Sequence, residues 1–299
     1  MTVNCQLLLV ANDIEHANKV ASAVQKQTLA LEKKYNFYQA DSWLNKAVNN
    51  RALSQVHLEP ESLAIFTRVR ELSQASQGIF DICVGTIKKA ATQRPQLTRA
   101  QLFAKYQDAM GLASWQISGN FLQFNNSHTQ FDLGGVVKEY SVDLAMALCK
   151  KQGITAGLIN FGGDIISWGR KPDNSAFRVA IQHPKVVDKI CGSIALSDQA
   201  LASSGHYHRQ FNYGAEQGSH ILAGQGVAQQ VLAVSVLSQS VLTSGVFSTA
   251  LSIEPTLVNS RYAQEHIKAI FIDEAMNFHQ DIEFLSNTGC IKHSLKEAI

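Results

Sequence analysis

The sequence lacks a long hydrophobic run, an excess of charge of one sign and paired cysteines. No apolar stretch approaches the roughly 20 residues that a membrane-spanning helix needs, so we expect no membrane span in this chain. The net charge of +2 is too small to favour nucleic acid or an anionic membrane as a partner. The five cysteines form no CxxC pair, which argues against a zinc or thiol-redox motif and predicts ordinary buried thiols.

The N-terminus also lacks the features of an export signal. It has no basic segment, and no small-residue cleavage site follows the short apolar run that begins at Gln6. The residues before Cys5 are not the apolar segment of a lipoprotein signal. We therefore expect a cytoplasmic protein for the chain as it stands, or a periplasmic protein whose leader has been removed.

The composition is that of a globular protein, with 45% apolar and 17% charged residues in a chain long enough to bury a substantial core. Segments of helical and of alternating periodicity follow one another without a repeat or a linker. Helices are expected at 14–35, 59–77 and 241–251, a hairpin about 119–120, and strands at 5–11, 177–182, 231–237 and 269–273. We predict an α+β fold with a central mixed β-sheet and flanking helices, in one or two lobes.

The stretch from Phe131 to Gly169 carries the most information. A short apolar strand is predicted to end at Asp132, and a glycine pair at 134–135 follows. Apolar residues then recur at helical spacing as far as Gly153, which predicts an amphipathic helix. Lys138, Glu139, Asp143 and Lys150 lie on the polar face of this helix.

A strand is predicted at 156–160, and Gly162 and Gly163 turn the backbone at its end. Glycine turns at the ends of elements expose backbone N–H groups, which suits an anionic ligand such as a phosphate. A plain tight turn explains the same spacing equally well. No G-x-G-x-x-G motif follows a strand here, so the dinucleotide fingerprint is absent from this stretch.

The order and identity of these residues resemble the ApbE family, the FAD:protein FMN transferases. The resemblance covers about residues 35–255 and predicts a single ApbE-like domain over residues 1–299. It rests on four motifs in the family's order, namely GIFDICVG from Gly78, DLGGVVK from Asp132, NFGGD from Asn160, and SSGHYHR from Ser203 with HIL from His220.

The resemblance implies an enzyme that cleaves FAD and attaches FMN covalently to a threonine of a partner flavoprotein. FAD would be the substrate, and Mg²⁺ the metal. His220 and Lys138 would be catalytic. Of the family's metal ligands, the Val137 carbonyl and Thr249 would remain in this chain. The residues implied in cofactor binding are Asn45, Phe80, Asp81, Gly162, Gly163, Asp164, Ser204 and Gly205.

The residue types leave other roles open for several of these positions. Asn45 equally suits an Asx turn, and Phe80 suits the hydrophobic core. Asp81 follows an apolar pair and favours a turn-fixing role. Lys138 is either a phosphate contact or a surface residue, and a solitary histidine such as His220 is often structural.

The sequence departs from the family at the implied metal site. The aspartate that holds Mg²⁺ in the family is Gly245 here, and the family's D-P-x-T-G is replaced by AGQG at 223–226. The small residue that usually follows Lys138 is Glu139, whose carboxylate is predicted to face solvent, with partial replacement of the lost ligand as the alternative. Without a carboxylate a hard divalent cation binds much more weakly. A second hypothesis is therefore a catalytically decayed FAD-binding protein of the same fold, and a third is a protein that has lost flavin as well.

Overall fold

A computed structural model describes residues 3–186, 188–205, 210–213, 216–219 and 231–280. The chain divides into two compact units. The first unit comprises Met1–Thr28, Glu139–Tyr207 and Gln229–Ile299, and the second comprises Leu29–Lys138 and His208–Ala228. The single domain expected over residues 1–299 stays a prediction.

The described residues contain seven α-helices and fourteen β-strands. The helices are α1 (Ile14–Tyr35), α2 (Pro60–Ala75), α3 (Val84–Gln93), α4 (Arg99–Tyr106), α5 (Val137–Lys151), α6 (Val241–Ile253) and α7 (Arg261–His266). The strands of the first half are β1 (Cys5–Val10), β2 (Gln55–His57), β3 (Trp115–Ser118), β4 (Phe121–Phe124), β5 (Ala156–Phe161), β6 (Asp164–Trp168) and β7 (Phe177–Gln182). The others are β8 (Ile190–Leu196), β9 (Ala200–Gly205), β10 (Gln210–Tyr213), β11 (Glu216–Ser219), β12 (Val231–Ser238), β13 (Lys268–Asp273) and β14 (Phe278–Gln280).

The main sheet of the first unit has seven strands in the order β1-β5-β6-β9-β12-β13-β14. Each neighbouring pair is antiparallel. The expected α+β class is confirmed, but the described sheet is antiparallel rather than mixed. Parallel neighbours need a long crossover connection, whereas β5 and β6 are joined by a turn of two residues.

Helix α6 covers part of this sheet, packing on β9 and β12. All of its residues except Thr249 are buried, so the helix lies within the core. Beside it, Val142 and Ala145 of α5 join the same core as Val20 and Val24 of α1. The two helices that carry the departures from the family, α5 and α6, therefore both contribute to the core of the first unit.

The second unit is built on a three-stranded sheet in the order β2-β4-β3. The hairpin of β3 and β4 is the one expected about Gly119-Asn120. Phe66, Trp115, Phe124 and Phe131 form an aromatic cluster with ring centroids 5.2 to 6.4 Å apart. Such rings bury a large apolar area each, so this cluster supplies much of the stabilisation of the second unit.

Phe131 and Asp132, expected to end a strand, lie in no strand of the described chain. The amide of Phe131 donates to Asn49 Oδ1 at 2.8 Å, and Asn49 Nδ2 donates to the carbonyl of Phe131 at 3.0 Å. The amide of Asp132 donates to the carbonyl of Ile82 at 2.9 Å. Buried backbone groups must be hydrogen-bonded, and here an asparagine side chain takes the place of a neighbouring strand.

Two expectations from composition concern membrane-spanning helices and the burial of the cysteines. No helix in the described ranges is long and apolar enough to cross a membrane. Of the four described cysteines, Cys83, Cys149 and Cys191 are buried free thiols as expected, but Cys5 on the edge strand β1 is exposed.

Glu59 caps helix α2, and its removal should weaken the second unit in a pH-dependent way. Its carboxylate accepts the amides of Glu61 and Ser62 and pairs with Lys34. Desolvation alone would raise the pKa of Glu59, but hydrogen bonds from Lys34 and Ser62 outweigh it and lower the pKa to about 2. This stabilisation is present above the ordinary pKa of 4.5 and is lost as the pH falls towards 2.

We expect Glu59→Ala to lower the free energy of unfolding by about 1 kcal/mol at pH 7. Urea unfolding of both proteins between pH 7 and pH 2 measures this. The difference should shrink below pH 4.5 as the wild-type carboxylate becomes protonated. A difference that stays constant down to pH 2 would show that the charge of Glu59 contributes nothing to the cap.

Candidate functional site

Asp132 fixes the glycine turn that precedes α5. Its Oδ1 accepts a hydrogen bond from the amide of Gly134 at 2.8 Å, and its Oδ2 forms an ion pair with the Lys88 ammonium at 2.5 Å. The side chains of Asp132 and Lys88 are only 4% and 11% exposed. The approach of α3 to this segment depends on Gly85, since a Cβ there would lie 2.7 Å from the carbonyl carbon of Phe131. Asp132 is thus an anchored structural residue at the start of the motif.

Asp81 fixes a second turn in the same unit. Its two carboxylate oxygens accept the amides of Cys83 and Gly111, each at 2.8 Å. Burial raises the pKa of Asp81, and the two backbone hydrogen bonds oppose that rise. Phe80 is 7% exposed and lies beside Gly135. These contacts give Asp81 the turn-fixing role and Phe80 the core role, while their contact with a flavin stays a prediction.

Asn45 lies in a π-helical turn, Leu44–Asn49, and organises the loop before it. Its Nδ2 donates to the carbonyls of Phe37 and Gln39 at 2.7 and 2.8 Å, and its Oδ1 accepts Nδ2 of Asn49. The side chain therefore holds the loop from within, and the role in cofactor binding stays a prediction.

A cavity of about 380 Å³ opens beside this loop in the second unit. Phe37 and Tyr38 line it together with Asn45, Lys88 and Lys89. Burial, with a smaller contribution from Arg51, lowers the pKa of Lys89. Aromatic rings and a lysine are groups that bind a ligand with a planar ring and a phosphate, and Lys89 is the candidate cation because Lys88 is paired with Asp132.

Gly162 and Gly163 form the two-residue turn between β5 and β6. Both have positive φ, +63° and +98°, as the hairpin turn with two left-handed residues requires. The amide of Gly162 donates to the carbonyl of Asn4 at 3.0 Å, and the amide of Gly163 donates to Asn160 Oδ1 at 2.8 Å. The predicted turn is confirmed, but in this structure both amides already have acceptors within the protein.

Ser204 and Thr249 are brought together in the first unit. Ser204, near the end of β9, places its Oγ 3.3 Å from Thr249 Oγ1 and 2.8 Å from Ser248 Oγ. Thr249 and Ser248 belong to α6, and Gly205 is the last residue of β9. This cluster of hydroxyls joins a residue implied in cofactor binding to one implied in metal binding.

The part of the polar face of α5 that carries Glu139 and Asp143 lies against α6. Asp143 accepts the amides of Val241 and Leu242 at 2.7 and 3.0 Å, which caps α6 at its positive end. Four residues earlier, Glu139 is only 6% exposed and lies against Gly245. The prediction that Glu139 faces solvent is therefore wrong, because α6 packs on that face.

The other predicted residues are placed as follows. Val137 is the first residue of α5 and is buried, and Lys138 beside it is partly buried. Asp164 opens β6 and is 4% exposed. His220 and the residues 223–226 lie outside the described part of the chain. Within the described ranges, no group of three or more His, Cys, Asp or Glu side chains is arranged to hold a metal ion.

Comparison with known proteins identifies the family. A sequence profile of the ApbE family matches residues 1–271. The chain belongs to the ApbE family. The FAD:protein FMN transferase of Vibrio cholerae is 26% identical over 226 residues, which are 72% of this chain and 67% of that protein.

Solved ApbE structures share the fold. The ApbE protein of Thermotoga maritima superposes with a TM-score of 0.82 and 18% identity, and 94% of each chain is covered. The flavin transferase ApbE of Vibrio cholerae superposes with a TM-score of 0.80 and 20% identity, and 96% of each chain is covered. The expected ApbE-like fold is thereby confirmed.

Two features of the structure were not predicted from the sequence: the lysines beside the cavity and the burial of Glu139. Lys88 and Lys89 were not singled out, although a lysine pair one turn after Gly85 is a visible signal. The burial of Glu139 also had a signal in the sequence. An acidic residue stands where the ApbE family has a small one, and a glycine stands where the family has an acid.

Proposed function

We propose that this chain is an FAD:protein FMN transferase that attaches FMN to a threonine of a partner flavoprotein. The observation that carries the proposal is the ApbE family match over residues 1–271. The contact between Ser204 and Thr249 supports it, because it joins two of the residues that the family resemblance implies.

In the proposed reaction the threonine oxygen bonds to the phosphorus of the FMN moiety. The bond between that phosphorus and the bridging pyrophosphate oxygen breaks, and AMP leaves. His220 is the candidate that accepts the threonine proton. Charge develops on the phosphate oxygens, so donors and cations near them lower the barrier.

The described residues offer several such donors in the first unit. The hydroxyls of Ser204, Ser248 and Thr249 each carry a hydrogen that a phosphate oxygen can accept. By the family resemblance, Lys138 is the candidate cation of the DLGGVVK motif. Mg²⁺, when bound, would supply further positive charge at the reacting phosphates. The described hydroxyls are neutral ligands, so they would hold Mg²⁺ only together with a carboxylate near Thr249.

The cavity beside Asn45 is the candidate for a ring of the nucleotide, and Tyr38 tests it. Tyr38 is 73% exposed in this structure, so its removal should leave the unfolding midpoint unchanged. We expect Tyr38→Ala to weaken FAD binding about tenfold through lost stacking, as measured by quenching of flavin fluorescence. Leu53→Ala, at another exposed residue of the second unit that does not line the cavity, is the matched control. Equal affinities in all three proteins would exclude this cavity from the FAD site.

A transfer assay tests the proposed function directly. The full chain is incubated with FAD, Mg²⁺ and a threonine-bearing flavoprotein acceptor, with a Thr→Ala acceptor as control. We expect covalent flavin on the unsubstituted acceptor only, release of AMP in equal amount, and loss of both with His220→Ala. Binding of FAD without AMP release across several acceptors would contradict the proposal and support the decayed binding protein.

A further inference from the structure

The side chain of Glu139 fills the space beside Gly245 in the core of the first unit. A Cβ built on Gly245 would lie 2.6 Å from Cγ of Glu139, 3.4 Å from its carboxyl carbon and 3.5 Å from Oε1. Real Cβ atoms essentially never approach a neighbour this closely, so one of the two groups would have to shift. The side chain of Glu139 therefore fills the space that an acidic side chain at position 245 would need.

The two departures from the family thus compensate each other in size and in charge. An acid replaces the small residue at position 139, and glycine replaces the acid at position 245. The carboxylate has moved from α6 to α5 but stays beside the same turn of α6. We propose that Glu139 provides the carboxylate ligand of the cation site that the ApbE family builds with an aspartate of α6. This inference rests on the proposed function, since it names a residue of that site.

The groups on the same face of α6 as Gly245 fit a hydrated Mg²⁺ that binds with a nucleotide. Thr249 is four residues after Gly245, so the two share a face of α6. Its Oγ1 lies 3.3 Å from Ser204 Oγ, which adds a second neutral oxygen. Mg²⁺ commonly uses one or two carboxylates together with substrate phosphates and water, and does not need a complete protein cage. A site with a single carboxylate therefore agrees with the lack of a three-residue cluster among the described side chains.

This donor set predicts that Mg²⁺ and FAD strengthen each other's binding. FAD affinity is measured by fluorescence quenching with and without Mg²⁺, in the full chain and in Glu139→Gln. Glutamine keeps the shape of the side chain and removes its charge. We expect Mg²⁺ to tighten FAD binding in the wild type, and we expect Glu139→Gln to reduce this effect about tenfold or more. FAD affinity without Mg²⁺ is the reference for each protein, so that the ratio of the two affinities reports the Mg²⁺ effect alone.

Two further variants make the test specific. Glu265→Gln removes one exposed carboxylate elsewhere in the first unit and should leave the Mg²⁺ effect unchanged. Glu139→Ala combined with Gly245→Asp returns the acid to α6 and should restore the effect. A Glu139→Gln protein with an intact Mg²⁺ effect would overturn the inference, as would a wild type without any Mg²⁺ effect.

The outcomes separate this inference from the proposed function. Flavin transfer that is equal in the wild type and in Glu139→Gln, at limiting Mg²⁺, would refute the role of Glu139 and leave the transferase standing. A Mg²⁺ effect that depends on Glu139 without any release of AMP would support the cation site and refute the transferase.

Discussion

Gly245→Asp alone is expected to lower the free energy of unfolding by on the order of 3 kcal/mol. The new Cβ would meet Cγ of Glu139 at 2.6 Å, and a second carboxylate would be buried beside the first. Overpacking and like charges in a buried site both destabilise the folded state. Aspartate has a slightly better helix propensity than glycine, by about 0.3 kcal/mol, so a large loss reports the clash and not the helix. Urea unfolding of the two proteins measures the difference.

The double variant Glu139→Ala with Gly245→Asp is the decisive comparison for this prediction. Glu139→Ala removes the obstructing side chain, so the double variant should recover most of the stability that Gly245→Asp loses. Gly192→Asp is the matched control, because nothing lies within 4 Å of a Cβ at that glycine of the same unit. It should cost less than about 1 kcal/mol. Equal losses for Gly245→Asp with and without Glu139 would show that the two positions do not compete for space.

The sequence predicted those parts of the fold that depend on local pattern. Helix α1 was expected over residues 14–35 and spans Ile14–Tyr35, because its apolar spacing is regular and Lys33 and Lys34 favour its C-terminal end. The hairpin about Gly119-Asn120 and the turn at 162–163 follow from residues that adopt left-handed or tight backbone conformations. Each of these elements is specified by residues within one or two turns of chain.

Local sequence pattern could not predict features that depend on distant neighbours. Glu139 lies on the polar face of α5, and its burial depends on a glycine of α6 more than 100 residues later. The stretch that ends at Asp132 was predicted to be a strand, but the Asn49 side chain provides the hydrogen bonds to Phe131 that a neighbouring strand would have made. In the same way, the sequence indicates the glycine turn at 162–163, but only the structure shows that its amides already have acceptors.

Lys88→Met is expected to lower the free energy of unfolding by about 3 to 5 kcal/mol, since it leaves the carboxylate of Asp132 buried without its cation. The pair is 2.5 Å apart, and both side chains are nearly excluded from solvent. Methionine keeps most of the volume of the lysine stem, so lost packing explains little of the change. Urea unfolding followed by tryptophan fluorescence, to which Trp43 and Trp115 of the same unit contribute, measures the loss.

The matched control is Glu71→Gln, which breaks an exposed ion pair with Arg68 in the same unit and should cost less than about 1 kcal/mol. Combining Lys88→Met with Asp132→Asn removes the buried charge and should recover part of the loss, because the asparagine oxygen can still accept the amide of Gly134. A small effect of Lys88→Met alone would mean that another group or water stabilises Asp132. In that case Lys88 would be available to a ligand in the adjoining cavity, and its removal would weaken FAD binding instead of folding. Measuring both quantities on one variant therefore decides whether this lysine serves the fold or the site.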